Sequence, residues 1–226
     1  MRVLALDTST LAGSIALLED NQLRAGITLN LKRKHTERLL PGLDWLFSEL
    51  GISPEKIDLL GVGIGPGSFT GLRVGLATAK GLALSLNLPI LGISSLFALA
   101  WQVRFWSGKI LALLDARKGQ VFAQFFQGGG KLEPVFEPIS IYPAQLAERI
   151  KEQILAVGEG FRAYSEIFSQ KKNLIYAGEE FDYPRAEIIA HLAYERFQKG
   201  ERDSLDELVP LYLRPSDAEL KMSKGG

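Results

Sequence analysis

Residues 2–18 read RVLALDTSTLAGSIALL, and residues 109–126 read KILALLDARKGQVFAQFF. Each stretch runs from a basic residue through an apolar segment to an aspartate, Asp7 or Asp115. A short polar turn with a glycine and a second apolar segment follow. A continuously apolar first segment is typical of a buried central strand, and the turn predicts an antiparallel partner. Two such units resemble each other either by chance or because the protein is a duplication of one α/β unit.

The segments around these hairpins favour the duplicated α/β arrangement. In the first half we expect a third strand over 22–31, helices over 36–50, 71–87 and 95–105, and strands over 59–64 and 89–93. In the second half we expect helices over 143–153 and 184–200 and short strands over 155–157 and 174–176. The predicted subdomains are residues 1–105 and 106–226, and the last helical segment is a candidate for packing back on the first subdomain.

Composition excludes several function classes. The chain has 226 residues, 26 basic and 26 acidic side chains, and no cysteine. Without cysteine there is no disulfide framework, thiolate nucleophile or thiolate metal site. A balanced charge argues against a protein that binds nucleic acid unaided. Residues 81–103 carry no charge, but Asn87 and Pro89 interrupt them, so we expect a soluble cytoplasmic protein without a membrane span.

The densest glycine motif is GVGIGPGSFTGLRVG, residues 61–75. Between a strand and a helix, such a loop exposes backbone N–H groups that favour anions, Ser68 or Thr70 can cap the helix, and Arg73 adds positive charge. The spacing fits neither a Walker loop nor a dinucleotide fingerprint, since no Asp or Glu occurs over 59–114. Both a phosphate contact and a purely structural role, in which the glycines permit close helix packing, stay open here.

The helix predicted over 71–87 has almost no polar face. Gly71, Gly75, Ala79 and Ala83 recur every four residues and form a stripe that lets a second helix approach closely. We expect one side of this helix to lie on its own sheet. Either a neighbouring helix of this chain or another protein chain then covers the other side.

Five stretches together resemble one protein family. They are LALDTS at 4–9, HTERLLP at 35–41, GPGSFTGLRVG at 65–75, LDAR at 114–117 and PLYLR at 210–214. This combination resembles the TsaB family of tRNA threonylcarbamoyladenosine biosynthesis, which was formerly labelled glycoprotease-like. The resemblance implies the duplicated actin-like, Hsp70-like and sugar-kinase (ASKHA) fold, in agreement with the repeated hairpin.

The resemblance also bears on metal binding. The paralogous catalytic subunit, TsaD, carries a His-x-x-x-His metal motif whose two positions fall on Ser95 and Leu99 here. Leucine cannot bind a metal, and serine is a poor ligand. The two histidines of the chain, His35 and His191, lie in different halves and are interpreted as structural or surface residues. We therefore expect no metal site and no catalytic residue.

The function that the resemblance implies is that of a non-catalytic subunit. It would pair with TsaD and, with the ATPase TsaE, support threonylcarbamoyl transfer to adenosine 37 of tRNA, which it would reach only through the complex. We expect no cofactor on this chain alone, with ATP or ADP at the interface with TsaD, and a homodimer in isolation. Candidate partner-interface residues on the two predicted helices are Leu39, Trp45, Leu72, Gly75, Leu76, Ala79 and Lys80.

Two other function classes are weighed against this one. An ATP-dependent kinase of the same fold would hold phosphates and metal with its two hairpin loops, and its candidate residues are Asp7, Thr8, Ser9 and Asp115. The predicted nucleotide-loop residues are these four together with Gly65, Gly67, Ser68, Thr70 and Arg73. Against a kinase, residues 158–160 are the single candidate for an adenosine-binding glycine pair. A serine peptidase is disfavoured because no Gly-x-Ser-x-Gly elbow occurs.

Overall fold

The computed structural model describes residues 1–30 and 37–214. Two mixed sheets are each built on one of the two hairpins. The first has the order β3-β2-β1-β4-β5, with β1 Arg2–Asp7, β2 Ala12–Glu19, β3 Gln22–Asn30, β4 Leu59–Gly65 and β5 Ile90–Ser94. The second has the order β11-β10-β6-β7-β8 with β9 also on β7. Its strands are β6 Lys109–Arg117, β7 Gln120–Gln127, β8 Glu133–Pro134, β9 Ile139–Ile141, β10 Ile154–Val157 and β11 Leu174–Tyr176.

The two sheets repeat one pairing pattern. In each, the hairpin strands pair antiparallel, with Asp7 opposite Ser14 in the first and Asp115 opposite Val121 in the second. Further antiparallel strands lie beyond the second hairpin strand. Two parallel strands follow on the other side of the first. The predicted duplication of one α/β unit is thereby confirmed.

Seven α-helices occur in the described ranges. They are α1 Leu39–Leu50, α2 Phe69–Leu86, α3 Ser95–Trp101, α4 Pro143–Arg149, α5 Glu159–Ala163, α6 Ser165–Phe168 and α7 Ala186–Gln198, with 3-10 turns at Pro54–Lys56 and Glu179–Phe181. α1 ends at the left-handed Gly51, as its sequence predicts. α3 and α4 end four residues earlier than expected, and α5 and α6 were not predicted because they are too short to show periodicity. Thr36, the predicted start of α1, lies outside the described residues.

Both faces of each sheet carry apolar side chains, and helices pack on them in layers. α1 and α2 cover one face of the first sheet, where Leu46 and Ala79 join Leu4 and Val62. α7 and α3 cover its other face. α3 also packs on the second sheet, whose far face is covered by α4, α5 and α6. No helix within the described ranges is long and apolar enough to span a membrane.

The chain returns to the first sheet after completing the second. α7 packs its buried Ile189 and Ala193 against β1 and β4. The segment that follows is tied to β5 by a hydrogen bond from Gly92 N to Asp203 Oδ2 (2.7 Å). The last helix is therefore observed on the first sheet, while the division into subdomains at residue 105 stays a prediction.

Candidate functional site

A cleft of about 600 Å³ lies between the turns of the two hairpins. Its lining comes from both halves and from the C-terminal segment, at residues 9–11, 67–70, 73, 115–117, 122, 159 and 211–214. Six of the nine predicted nucleotide-loop residues line it, namely Ser9, Gly67, Ser68, Thr70, Arg73 and Asp115. The other three, Asp7, Thr8 and Gly65, lie buried beneath the surface. Whether this cleft binds a nucleotide stays a prediction.

The carboxylate of Asp7 is turned into the protein. Its Oδ1 accepts hydrogen bonds from Ser9 N (2.9 Å) and Ser9 Oγ (2.6 Å), and its Oδ2 accepts from Ser95 Oγ (2.8 Å). Ser95 Oγ in turn accepts from Gly65 N (3.2 Å). Asp7 and Ser95 are fully buried. These bonds join the first hairpin, the glycine motif and α3, so they fix the geometry of the cleft floor.

The glycines of the motif let α2 sit directly on the turn of the first hairpin. A Cβ atom on Gly67 would lie 2.2 Å from the Ser9 carbonyl oxygen, and one on Gly71 would lie 2.1 Å from that of Thr8. Thr8 Oγ1 donates to Gly71 O (2.7 Å), and Ser68 N donates to Ser9 O (2.7 Å). The motif thus supports the structural role left open by the sequence, because its backbone contacts are made with this chain.

The small-residue stripe has the same explanation. Gly71, Gly75, Ala79 and Ala83 are buried on the side of α2 that faces the first sheet. A Cβ on Gly75 would lie 2.2 Å from Thr8 Oγ1. The expectation that the stripe receives a second helix is therefore wrong. Gly71 and Gly75 pack against the turn of the first hairpin, and Ala79 and Ala83 lie in the core that α1 and α2 form on the first sheet.

The turn of the second hairpin is open to the cleft. Asp115 Oδ1 accepts hydrogen bonds from Arg117 N (2.8 Å) and from Tyr164 Oη (3.2 Å), and its Oδ2 pairs with Arg117 (3.0 Å). Glu159, at the start of α5, also lines the cleft. Burial raises the pKa of Glu159 to about 7, and the Asp115 carboxylate adds to the increase. Sequence reasoning did not select Tyr164 or treat Glu159 as titratable.

The C-terminal segment closes one side of the cleft. Leu211 N donates to Ile64 O (2.8 Å), Tyr212 stacks on Phe69 with ring centroids 4.6 Å apart, and Arg73 Nε donates to Tyr212 Oη (3.1 Å). Tyr212 was part of the PLYLR stretch, but no role for it followed from the sequence. The contacts show why Arg73 lies where it does, at the junction of α2 and this segment.

Most of the predicted partner-interface residues are buried in this chain's own core. Leu39, Leu72, Gly75, Leu76 and Ala79 are all in the buried class, and three of them belong to the core under α1 and α2. Buried side chains cannot form a partner surface while the core is intact. The assignment of these five residues to a partner-facing surface is therefore corrected: they support α1 and α2 from beneath.

The outward face of α1 and α2 has a different set of residues. Leu40 is 61% exposed, Trp45 is 52% exposed and Leu84 is 76% exposed. Ala77 and Gly81 on α2 are exposed as well. Lys80, also predicted, is half-buried beside them. We call Leu40, Trp45, Ala77, Gly81 and Leu84 the helix face. The sequence left open whether a helix of this chain or another protein chain covers the outward side of α2. Within the described residues, no helix of this chain covers it.

The remaining candidates for chemistry have structural partners. Leu99 is fully buried, and His191 lies on α7, where Nδ1 is 2.7 Å from Asn21 Oδ1. His35 lies outside the described residues. No group of three His, Cys, Asp or Glu side chains in the described ranges is arranged to hold a metal. Ser68 Oγ accepts from Gly71 N (3.2 Å) as the cap of α2, which argues against its use as a peptidase nucleophile.

Comparison with known proteins covers nearly the whole chain. A family model described as TsaD: tRNA N6-adenosine threonylcarbamoyltransferase matches residues 24–222. The tRNA threonylcarbamoyladenosine biosynthesis protein TsaB of Escherichia coli (strain K12) is 33% identical over 98% of each chain. The protein of the same name from Bacillus subtilis (strain 168) is 34% identical over 98% of this chain and 97% of its own.

Solved structures agree with these sequence relatives. YeaZ from Pseudomonas aeruginosa superposes with a TM-score of 0.80 at 29% identity, covering 94% of this chain and 99% of that chain. Component A of (R)-2-hydroxyglutaryl-CoA dehydratase from Acidaminococcus fermentans gives a TM-score of 0.52 at 11% identity over 87% of this chain and 98% of its own, which shows the fold alone. The fold is the duplicated actin-like α/β fold that the resemblance implied. On the full-length identity to several TsaB proteins, the chain belongs to the TsaB family.

Proposed function

We propose that this chain is a non-catalytic subunit in tRNA threonylcarbamoyladenosine biosynthesis, the process named for its TsaB relatives. It binds TsaD through the helix face and works with TsaD and TsaE in threonylcarbamoyl transfer to adenosine 37 of tRNA. The observation that carries the proposal is the helix face itself. Two helices packed on the first sheet expose large apolar side chains, Leu40 and Trp45 on α1 and Leu84 on α2, and α2 also exposes the small residues Ala77 and Gly81.

The physical chemistry of this face suits a stable protein contact. Trp45 and the leucines supply large apolar area, and tryptophan is over-represented among residues that dominate binding energy. Ala77 and Gly81 allow the backbone of a partner helix to approach closely. An exposed apolar face of this kind also self-associates, so we propose that the isolated chain forms a homodimer through it.

The state of the cleft floor supports a non-catalytic role. The Asp7 carboxylate accepts hydrogen bonds from Ser9 and Ser95. By the resemblance to TsaD, Ser95 falls at the first metal-ligand position of that protein. The glycine motif packs closely on Thr8 and Ser9 of the first hairpin turn, where a kinase of this fold would hold phosphate. On this proposal ATP or ADP belongs at the interface with TsaD rather than to this chain alone.

Replacement of Trp45 and Leu84 by glutamate tests the docking surface. Both side chains are exposed, so the variant should fold, and capture of TsaD should weaken by more than about 30-fold. Leu23→Glu, an exposed apolar residue on β3, is the matched control and should retain binding. Sedimentation of the isolated variants should show the dimer lost with W45E/L84E and kept with L23E. Undiminished capture by W45E/L84E would contradict the proposal.

Reconstitution tests the role in the pathway. Transfer of threonylcarbamoyl to tRNA should require this chain in addition to TsaD and TsaE, and Asp7→Asn and Asp115→Asn variants that fold should support it as the wild type does. The kinase alternative predicts instead that ATP binds the isolated chain, which isothermal titration measures. Micromolar ATP binding that depends on Asp115 would favour the kinase and contradict a non-catalytic role.

A further inference from the structure

A basic edge on the second sheet is not used by the proposed docking. β6, β10 and β11 are parallel, and Lys109, Ile154 and Leu174 lie side by side at their starts. The residues just before these strands therefore share one edge of the sheet, and Asn173 Nδ2 donates to Lys151 O (3.3 Å) across it. Five cations lie there, which we call the basic edge: Lys109, Arg149, Lys151, Lys171 and Lys172.

Most of this positive charge is not neutralised by the protein. Lys109 pairs with Glu152, but in the described part of the chain no carboxylate lies within ion-pair distance of the other four cations. Glu137 and Glu152 both line the adjoining groove. Glu148 lies on α4 and Glu166 on α6. The half of the chain from residue 114 is acidic overall, with 15 basic and 18 acidic side chains. Clustered cations in an acidic half indicate an anionic partner.

A groove of about 460 Å³ opens beside the basic edge. Phe125, Phe136 and Ile139 form its apolar part, and Lys109, Arg149 and Lys151 are its cations. Phe136 is 64% exposed and is held edge-on against Phe125, with ring centroids 6.2 Å apart. Gln124 Nε2 donates to Phe136 O (3.0 Å) and fixes the loop that carries the ring. An exposed aromatic ring in a rigid groove beside free cations is the arrangement on which an unstacked base stacks.

We propose that the basic edge and its groove bind RNA, with the phosphate backbone along Arg149, Lys151, Lys171 and Lys172 and one unstacked base against Phe136. The inference rests on the proposed function for the identity of that RNA, which is the tRNA presented to the complex with TsaD. The second half of the chain thereby holds the nucleic acid while the helix face of the first half holds the protein partner. Because the two surfaces lie on different sheets, substitutions separate them.

The test compares two charge-matched variants in the complex with TsaD. Lys151→Glu with Lys172→Glu alters the basic edge. Lys56→Glu with Lys199→Glu alters two exposed lysines elsewhere. With a fluorescent unmodified tRNA transcript, K151E/K172E should bind at least about tenfold more weakly at physiological salt. Its slope of log K against log salt should be less steep by about 2, because two phosphate contacts are lost. K56E/K199E should bind as the wild type does.

A second pair of variants tests the groove. Phe136→Ala should weaken tRNA binding by about tenfold with little change in the salt slope, since stacking and not charge is lost. Leu23→Ala, at an exposed apolar residue on β3 of the first sheet, should have no effect. Equal affinity and slope in wild type and K151E/K172E would overturn the proposal, as would an equal loss in K56E/K199E.

TsaD capture, measured on the same variants, distinguishes the two proposals. K151E/K172E should retain capture, and W45E/L84E should lose it. Loss of TsaD capture by K151E/K172E would show that the edge docks protein and would overturn the RNA assignment. If the wild type fails to capture TsaD, the proposed function is contradicted. The RNA assignment is then tested by binding of the fluorescent tRNA transcript to the isolated chain and its variants.

Discussion

The same topological position has different structures in the two halves of this molecule. After β4, the glycine motif leads into α2, which has 18 residues and an exposed apolar face. After β10, residues 158–160 lead into α5, which has five residues. Both glycine turns pack closely against the preceding hairpin. In the second half, a Cβ on Gly158 would lie 2.0 Å from the Leu113 carbonyl oxygen, as one on Gly71 would lie 2.1 Å from that of Thr8 in the first. Close packing is thus shared, and the long outward helix is specific to the first half.

The two hairpin turns differ in a corresponding way. The glycine motif packs on Thr8 and Ser9 of the first turn, and the aspartate of this turn is fully buried. In the second turn the aspartate lines the cleft and pairs with the exposed Arg117. One copy of the repeated unit therefore supports a long helix with an exposed apolar side, while the other keeps its aspartate at the cleft. The following predictions test this contrast, beginning with the largest effect.

Gly71→Ala should destabilise the fold by about 3 kcal/mol or more, because its Cβ would lie 2.1 Å from a backbone oxygen of the first hairpin. Gly81→Ala in the same helix has nothing within 4 Å of its Cβ and should stabilise by about 0.5–1 kcal/mol. Urea unfolding of both variants measures the difference. Equal effects would show that α2 does not depend on close packing against the first hairpin.

Asp7→Asn should cost about 2 kcal/mol, because one carboxylate oxygen that accepts from a buried hydroxyl is replaced by a donor. Asp115→Asn should cost about 1 kcal/mol or less, since Arg117 and the cleft remain solvated. Denaturation of the two variants under one condition compares the hairpins directly. A larger loss for Asp115→Asn would reverse the assignment of the buried and the open turn.

Glu159→Gln should change the pH dependence of stability. Between pH 4.5 and about 7 the unfolded chain ionises Glu159 while the folded chain keeps it protonated, so stability falls as pH rises through this window. The glutamine variant avoids this loss. It should exceed the wild type by about 1–2 kcal/mol at pH 8 and match it near pH 4.5. Thermal melts from pH 4.5 to pH 8 measure this difference in stability, with Glu148→Gln on α4 as the control. If the stability of wild type and variant changed with pH in the same way, the raised pKa of Glu159 would be contradicted.

Ser68→Ala should cost about 1 kcal/mol, because Gly71 N loses its acceptor at the start of α2. Ser48→Ala, on the exposed face of α1, is the control and should stay within about 0.5 kcal/mol of the wild type. Chemical denaturation resolves the two. A neutral Ser68→Ala would show that the first turn of α2 is fixed by the glycine contacts alone.

Sequence patterns predicted the long helices and every strand except the short β8 and β9, because apolar periodicity is a local property that very short strands do not show. Of Ser68 and Thr70, the two predicted caps of α2, the structure shows Ser68 in that role. Burial on α2 was assigned less well, because a helix with apolar residues all round carries no signal for which side meets the sheet. Leu76 and Ala79 were expected outside and are inside, while Leu84 carries the exposed surface.

Consecutive residues were enough to predict the duplicated hairpin and the family, and both predictions are confirmed. The three-dimensional packing set which residues meet across long separations. It brought Ser95 to Asp7, Tyr212 to Phe69, and Lys172 to the basic edge, where Lys109 also lies. Such pairs depend on the crossing of strands and helices in space, and spacing along the chain carries no record of that crossing.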